Sequence, residues 1–582
     1  MKKIIGLILI CGISVNIVHA QSTIYYPNII WQKGYGGYGG EDNHNNFKST
    51  MLKVDNDIYL TWNTGTDSSG NITTQRCFYP GGIWSSPNSI LFKIDTSGSI
   101  TAQSRFSVGR VPQLYNNTSK YVYNDIAVLN DDKILVLTEN KSGIGCSQTK
   151  FMHDTFEVGN QVLKPDAWVI YYDRNLVQTG DSMYGSYSWD DAESFIQKGE
   201  NVFIAGATDA DSSGDITTHP FNIINAYNSD LYIMQFDTMM NKINDCRLGG
   251  DSAEFRFIFG DNGADSRLLW MAQTNSNVGY DITEPSRGKL DIWAGLSNNN
   301  CNIVWQKRVG STSLDIPIRI FRNNNDGGYD IFANTLCDTA AFEHQSISNG
   351  LYDFWLVKLD SIGNYLWDMS IGGNGTDQLS DVCRSNDGGY VLLGTSNSDS
   401  GFYKSSNAIN GTDDYWVVKL DSNYNKMWDV TIGGDYVEEA SGIDALDDGS
   451  YVVSGVSGSD TGYYKTVQLF DSIPPYSTPQ IWVLRFKVDS LYAAGGVQLL
   501  DLPPLQLFPN PAQGILNICG LPMPLTQAKI IFTDALGREV KKTNTVVNGG
   551  CIRSINVSDL PSGFYSAFVD SGGYVFKGRF VK

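Results

Sequence analysis

The chain has 582 residues, with 62 acidic side chains against 42 basic ones, a formal charge of −20 and only five histidines. Such acidity excludes a phosphate-binding groove, which needs clustered Lys and Arg, so no nucleic-acid partner is expected. It suits solubility outside the cell and leaves room for weak calcium binding, with no cofactor required.

Lys2 and Lys3 precede an apolar run from Ile4 to Val18, which ends in Val18-His19-Ala20 before Gln21. A charged start, a short apolar stretch and a small-residue end read as a signal peptide over residues 1–20 rather than a membrane span. Cys11 does not fit a lipoprotein site, because Ile10 stands where a small residue is needed. No later stretch is apolar enough to span, so no transmembrane segment is expected. Cys77, Cys146, Cys246, Cys301, Cys337, Cys383, Cys519 and Cys551 are widely spaced and form no CxxC. That spacing describes neither a zinc site nor a dense disulfide scaffold.

From about residue 28 the chain repeats. Tyr365-Leu-Trp-Asp-Met-Ser-Ile-Gly-Gly373 parallels Lys426-Met-Trp-Asp-Val-Thr-Ile-Gly-Gly434. Asp353-Phe-Trp-Leu-Val-Lys-Leu-Asp360 parallels Asp414-Tyr-Trp-Val-Val-Lys-Leu-Asp421, and Asp387-Gly-Gly-Tyr390 parallels Asp448-Gly-Ser-Tyr451. The first kind of strand recurs around Trp31, Phe106, Met183, Arg247, Trp305, Trp367 and Trp428, and the second at Trp168, Tyr232, Trp293, Trp355 and Trp416. Runs of five to eight apolar and β-branched residues between Gly, Asn and Asp turns predict strands, about four per unit, with no helical period. Units of this kind stack into a β-propeller, with a solenoid as the runner-up. The phase of the repeat favours the ring. The chain opens on a strand of the first kind (Ile29 to Gly37) and its last unit ends on the second (Ile481 to Val488), so the N-terminal strand completes the last blade. The expectation is an all-β, seven-bladed propeller over 21–490, a linker over 491–502 and a small β-sandwich over 503–582. Trp, Gly-Gly and Asp-Gly-Gly-Tyr repeats of this sort resemble the propeller-like repeats of secreted proteins that carry type IX sorting domains.

The last segment holds four motifs in order: Pro509-Asn510-Pro511, then Asp534 with Gly537 and Arg538, then Leu560-Pro561-Ser-Gly563-Phe-Tyr565, then the terminal Lys582. Together they resemble the type A sorting domain of the type IX secretion system. The resemblance implies partnership with that secretion machinery, export across the outer membrane, and a mature chain that is extracellular or held on the cell surface. Cys519 and Cys551 fall on adjacent predicted strands, as a disulfide or as two buried thiols.

Chemistry-bearing motifs are few. Gly180-Asp-Ser182 and Gly250-Asp-Ser252 have the opening of an esterase motif, but no Asp-x-x-His block follows to complete a triad. Asp209-Ala-Asp-Ser-Ser-Gly-Asp215 imitates a calcium loop until Pro220 takes the place of the terminal Glu, which favours a turn role. No catalytic or metal residue is assigned.

The connections between second and third strands are long in every unit and carry aromatics, among them Phe78, Tyr79, Trp84, Phe151, Phe156, Phe221, Tyr227, Tyr280 and Phe342. Gly401-Phe402-Tyr403-Lys404 and Gly462-Tyr463-Tyr464-Lys465 are near-copies, so those four aromatics are the candidate ligand-binding residues. The functional expectation is a non-enzymatic binding or scaffold protein for a glycan or protein ligand. The alternative is a glycan-active enzyme with paired carboxylates in the ring mouth.

Overall fold

A computed structural model describes residues 23–36, 50–64, 70, 71, 73, 88–106, 125–129, 132–140, 166–210, 212–221, 229–336, 341–346, 348, 350–470, 479–492, 506–509, 512–519, 527–533, 538–547, 551–571 and 574–582. The expected signal peptide, most of the linker, and Asn510, Pro511, Asp534 and Gly537 of the sorting motifs lie outside these residues. So do the loop aromatics Phe78, Tyr79, Trp84, Phe151, Phe156 and Tyr227.

The described residues are all-β and contain no helix. Up to Tyr492 they form four-stranded sheets that repeat along the chain, each but the last taking consecutive strands as neighbours. The first runs Met51–Val54, Asp57–Thr64, Asn88–Asp95 and Ile100–Phe106; the second Asp125–Val128, Ile134–Asn140, Asp166–Tyr172 and Gln178–Tyr184. The third runs Asp190–Lys198, Asn201–Thr208, Asp230–Asp237 and Lys242–Leu248; the fourth Glu254–Phe259, Leu268–Thr274, Asp291–Ser297 and Ile303–Val309. The fifth runs Asp315–Arg322, Tyr329–Thr335, Asp353–Leu359 and Tyr365–Ile371; the sixth Asp377–Arg384, Tyr390–Ser396, Asp414–Leu420 and Lys426–Ile432. The last joins Glu438–Ala445, Tyr451–Ser457 and Gln480–Tyr492 to the N-terminal strand Thr23–Tyr35.

Packing lies between sheets. Leu269 and Met271 of the fourth sheet share a core with Ile331 and Trp355 of the fifth, and Phe354 of the fifth with Trp416 and Val418 of the sixth. Ile58 and Phe92 of the first sheet share one with Val452 and Val483 of the last. The first strand of each sheet touches the first strand of the next, and Glu438–Ala445 touches Met51–Val54 of the first sheet.

Two features of the repeat have direct causes. A Cβ on Gly372 would lie 1.9 Å from Asp353 Oδ1, and one on Gly433 would lie 1.9 Å from Asp414 Oδ1. The Asp that opens each third strand therefore requires the first Gly of each Gly-Gly pair. Gly363, at φ 87°, lies under the Trp305 ring of the preceding sheet, and Gly98, at φ 76°, lies in the same way under Trp31. Side chains of any size are excluded there by both space and backbone.

A second compact unit comprises Asp489–Lys582 together with the N-terminal residues up to Tyr26. It contains a sheet of Gln506–Phe508, Ile515–Cys519 and Cys551–Asn556, and another in the order Glu539–Val546, Gln527–Thr533, Phe564–Ser571, Tyr574–Val581. Leu516, Ile518, Ile530, Phe532, Ile552 and Val569 fill its core. Cys519 and Cys551 form a disulfide, and the repeat region holds another, Cys246–Cys301, joining the third and fourth sheets. Leu560 is buried, Tyr565 donates its hydroxyl to Pro561 O at 2.7 Å, and Arg538 is exposed. Lys582 and Gly563 exchange backbone hydrogen bonds, each 2.9 Å, which ties the chain end to the Leu-Pro-x-Gly turn.

Candidate functional site

The connections between second and third strands contain one recurring device. Gly401 and Lys404 exchange backbone hydrogen bonds of 2.9 Å, Gly462 and Lys465 do so at 2.8 Å, and Gly279 with Ile282 and Ala341 with His344 repeat the pairing. The first residue inside each turn has positive φ: Tyr280 at 53°, Phe342 at 54°, Phe402 at 50° and Tyr463 at 48°. Gly214 occupies that place in the third sheet, at φ 57°. A hairpin turn with positive φ only at its first central residue is normally filled by Gly. An aromatic there costs about 1 kcal/mol in backbone strain, and four turns accept that cost.

The rings point outward to different degrees. Phe402 is 72% exposed, Tyr280 59% and Phe342 50%, while Tyr463 is partly covered. Tyr463 donates to Asn410 Oδ1 at 2.7 Å, Tyr280 lies 5.2 Å from the Phe221 ring, and the Arg287 guanidinium covers Phe342 at 5.5 Å. In these three cases the contact reaches the corresponding loop of the preceding sheet. Tyr403 is half-buried against the core shared by the fifth and sixth sheets, with Lys426 Nζ 5.0 Å from its ring centre. Tyr464 is also half-buried; its backbone N–H donates to Gly433 O at 3.1 Å and its carbonyl accepts from Gln32.

The turns are held from below. Ser405 donates its N–H and hydroxyl to Asp429, which also accepts the Trp416 indole N–H at 3.0 Å. Asp368 holds Ser346 and Trp355 in the same way, and Asp181 of Gly180-Asp-Ser182 accepts the Trp168 indole at 3.0 Å. The Gly-Asp-Ser segment thus supplies an indole acceptor inside a strand. Asp215 and Asp209 likewise bond backbone N–H groups at Gly185 and Trp189. Among the described residues no His, Cys, Asp and Glu cluster is arranged to hold a metal ion.

Carboxylates do converge beneath the turns, in repeated pairs. Glu254 accepts from Thr274, Ser276 and Gly250 N, and Glu438 accepts from Ser457, Ser459 and Gly434 N. Each stands beside the Asp that opens the third strand of the sheet before it, Asp230 and Asp414. Burial pushes Asp190, Glu254 and Asp315 up to about 7 and Asp414 up to about 8. A cation stands at several of these sites. In the third and fourth sheets it comes from the fourth strand, Arg247 on Asp230 at 3.2 Å and Arg308 on Asp291 at 2.6 Å. In the sixth and last it is the closing residue of the turn, Lys404 or Lys465, set against Trp416 or Trp482, while the turn of the fifth closes on His344, whose ring lies beside Trp355.

At the innermost strands other carboxylates cap backbone N–H groups of the following sheet. Asp125 accepts from Phe195 N at 3.2 Å, Glu193 from Arg256 N and Phe257 N at 2.9 and 2.6 Å, Asp381 from Ile443 N at 3.2 Å, and Asp444 from Lys53 N at 3.2 Å. These bonds satisfy strand edges that no neighbouring strand covers. Burial raises Glu193 to about 8 and Asp444 to about 6.

No curated protein matches the chain. Among solved structures it is similar to the Penicillium chrysogenum alpha-L-arabinanase complexed with arabinobiose, at 7% identity and TM-score 0.36, over 78% of this chain and 98% of that one. It is also similar to the phage phi92 endosialidase, at 10% identity and TM-score 0.37, over 96% and 87%. At such TM-scores the likeness bears on neither activity nor substrate. No helix among the described residues is long and apolar enough to cross a membrane, which says nothing of strands. Residues 506–582 match the family described as "Secretion system C-terminal sorting domain", so the chain carries a type IX sorting tail that directs it to the cell surface or the extracellular space.

Proposed function

We propose that the exported protein is a seven-bladed β-propeller, closed by its N-terminal strand, that acts as a non-enzymatic binding or surface-scaffold protein. Closure is supported by the fourth strand that Thr23–Tyr35 gives the last sheet and by Trp31, which stacks on Gly98 as Trp305 does on Gly363. Deleting Gln21 to Gly40 should lower the melting temperature by removing that strand; a truncated protein that melts like its parent would favour an open solenoid. Deleting Pro503 to Lys582 should strand a folded repeat region in the periplasm, and normal surface display would overturn the export reading.

The observation that carries the binding role is the repeated placement of an outward aromatic at a strained turn position. Phe402, Tyr403, Tyr463 and Tyr464 form the candidate set, with Phe402 and Tyr463 as the contacting rings and Tyr403 and Tyr464 as their footing. A flat apolar face beside Asn and Ser groups suits a sugar ring or a protein partner. The test is a glycan and matrix-protein binding screen on the mature protein, repeated with Phe402→Ala/Tyr463→Ala. Loss of about tenfold or more in affinity at unchanged melting temperature supports the site. Full binding by the double variant sends the search to another surface.

The glycan-active alternative is less well supported. Its paired carboxylates recur sheet after sheet, and the acids at the innermost strands are committed to backbone N–H groups.

A further inference from the structure

At the opposite end of the strands from the aromatic turns, two adjoining cavities open where the fourth, fifth and sixth sheets meet. One, of about 360 Å³, is lined by Asn262, Gly263, Asp265, Arg322, Asn323 and Asn324. The other, of about 200 Å³, adds Asn325, Arg384, Asn386 and Tyr390, while Asn323 and Asn324 belong to both. The walls are fixed by backbone. Asp261 N donates to Ile320 O at 3.1 Å and Arg322 N to Asp261 O at 2.8 Å, while Arg384 Nη2 reaches Arg322 O at 2.6 Å.

The floor is a buried polar network. Asp330, fully buried, accepts from Asn323 Nδ2, Tyr390 OH, Tyr424 OH and Lys358 Nζ at 2.6 to 2.9 Å. Asn323 and Tyr390 are thereby held in one orientation. Asn262 is 1% exposed, and its Oδ1 has no hydrogen-bond partner among the described residues, so an unsatisfied acceptor stands in the wall.

Charge and composition at this place run against the rest of the chain. Lys198, Arg267, Arg322 and Arg384 gather around Asp261 and Asp265: Arg322 lies 3.3 Å and Arg267 2.5 Å from Asp265, Arg384 lies 3.3 Å from Asp261, and Lys198 donates to Gly263 O at 3.1 Å. Four cations thus face two carboxylates in a protein of charge −20. Asn325 and Asn386 stand where the last sheet's turn carries Asp447, beside the further amides of Asn262, Asn323 and Asn324, although Asp326 and Asp387 keep the next position acidic.

We propose that these joined cavities bind an acidic saccharide, a short chain of uronate sugars. A guanidinium fork matches a carboxylate, and primary amides both give and take hydrogen bonds as sugar hydroxyls do. An acidic peptide would use the charges but brings no hydroxyls to the exposed amides of Asn324 and Asn325. The site does not depend on the aromatic turns. Calorimetry on the mature protein should detect trigalacturonate, with affinity falling as salt rises, and should detect neither maltotriose nor an oligoaspartate. Arg322→Gln and Arg384→Gln should each weaken trigalacturonate at least tenfold. Should either Arg variant melt early, Asn324→Ala and Asn386→Ala, at exposed positions, must still weaken it. Equal binding of maltotriose, tighter binding of oligoaspartate, no binding of trigalacturonate, or indifference to these substitutions overturns the proposal.

Discussion

The third and fourth sheets differ from the sixth and last in where they find one positive charge. Arg247 and Arg308 come from the fourth strand, and the turns of those sheets close on Ile216 and Ile282. Where the strand position carries Ser370, Thr431 or Gly34 instead, the turn closes on His344, Lys404 or Lys465. The sixth and last sheets therefore move the charge from the strand to the turn, and the fifth puts a histidine at that turn position. A buried carboxylate pair tolerates either route, because both end at the same aromatic of the third strand.

The most damaging way to break this arrangement is Arg308→Met. Arg308 is 1% exposed and Asp291 fully buried, so removing the cation leaves an uncompensated buried charge. A loss of about 3–5 kcal/mol in urea unfolding is expected. The sharper test transplants the other route: Ile282→Lys with Arg308→Thr should regain about 2 kcal/mol of that loss, read as coupling in a double-mutant cycle. If the double variant is as unstable as Arg308→Thr alone, the two routes are not equivalent.

A third prediction concerns pH. Asp190, Glu254, Asp315 and Asp414 have folded pKa values of about 7, 7, 7 and 8, above those of exposed carboxyls. Their fold therefore favours the protonated form, and the stability they contribute is complete at low pH and lost as pH rises through 7 to 8. Carboxylates held low, such as Asp265 and Asp387 at about 2, act only at more acidic pH. The melting temperature should fall by about 5 °C from pH 5 to pH 8; a flat profile would mean that these acids stay ionised in their hydroxyl cages. The smallest effect is expected for Lys404→Met. Burial already lowers the Lys404 pKa, so the variant loses one hydrogen bond to Ser396 and one contact with the Trp416 ring, about 1–2 kcal/mol by thermal unfolding.

The sequence made the repeat legible because its signature residues are those that sterics leave no choice about. Gly372 must be Gly because Asp353 occupies its Cβ space, and Trp305 recurs because it packs on the next sheet. The exchange of Arg308 for Lys404 was not legible, since the two occupy different strands and turns and meet only through packing. Phe402 and Tyr403 are neighbours of similar character, and only the positive φ at the first places one ring outward and the other inward. The disulfide Cys246–Cys301 was invisible for a related reason, because a separation of 55 residues says nothing of a Cα–Cα distance of 5.9 Å. The cavities of the fourth to sixth sheets left a trace only as Asn325 and Asn386 where the last sheet's turn carries Asp447.

The carboxylate caps at the innermost strands have a direction. Asp125, Glu193, Asp381 and Asp444 each reach forward to the following sheet, and the last of them reaches Lys53 in the first. In the language of assemblies this is a heterologous, head-to-tail contact within one chain, the kind that must either close on itself or propagate without end. In the closed ring proposed above, the Asp444–Lys53 bond is where propagation stops. Cutting it should leave a donor end and an acceptor end free on the same molecule, each matched to the other end of a second copy.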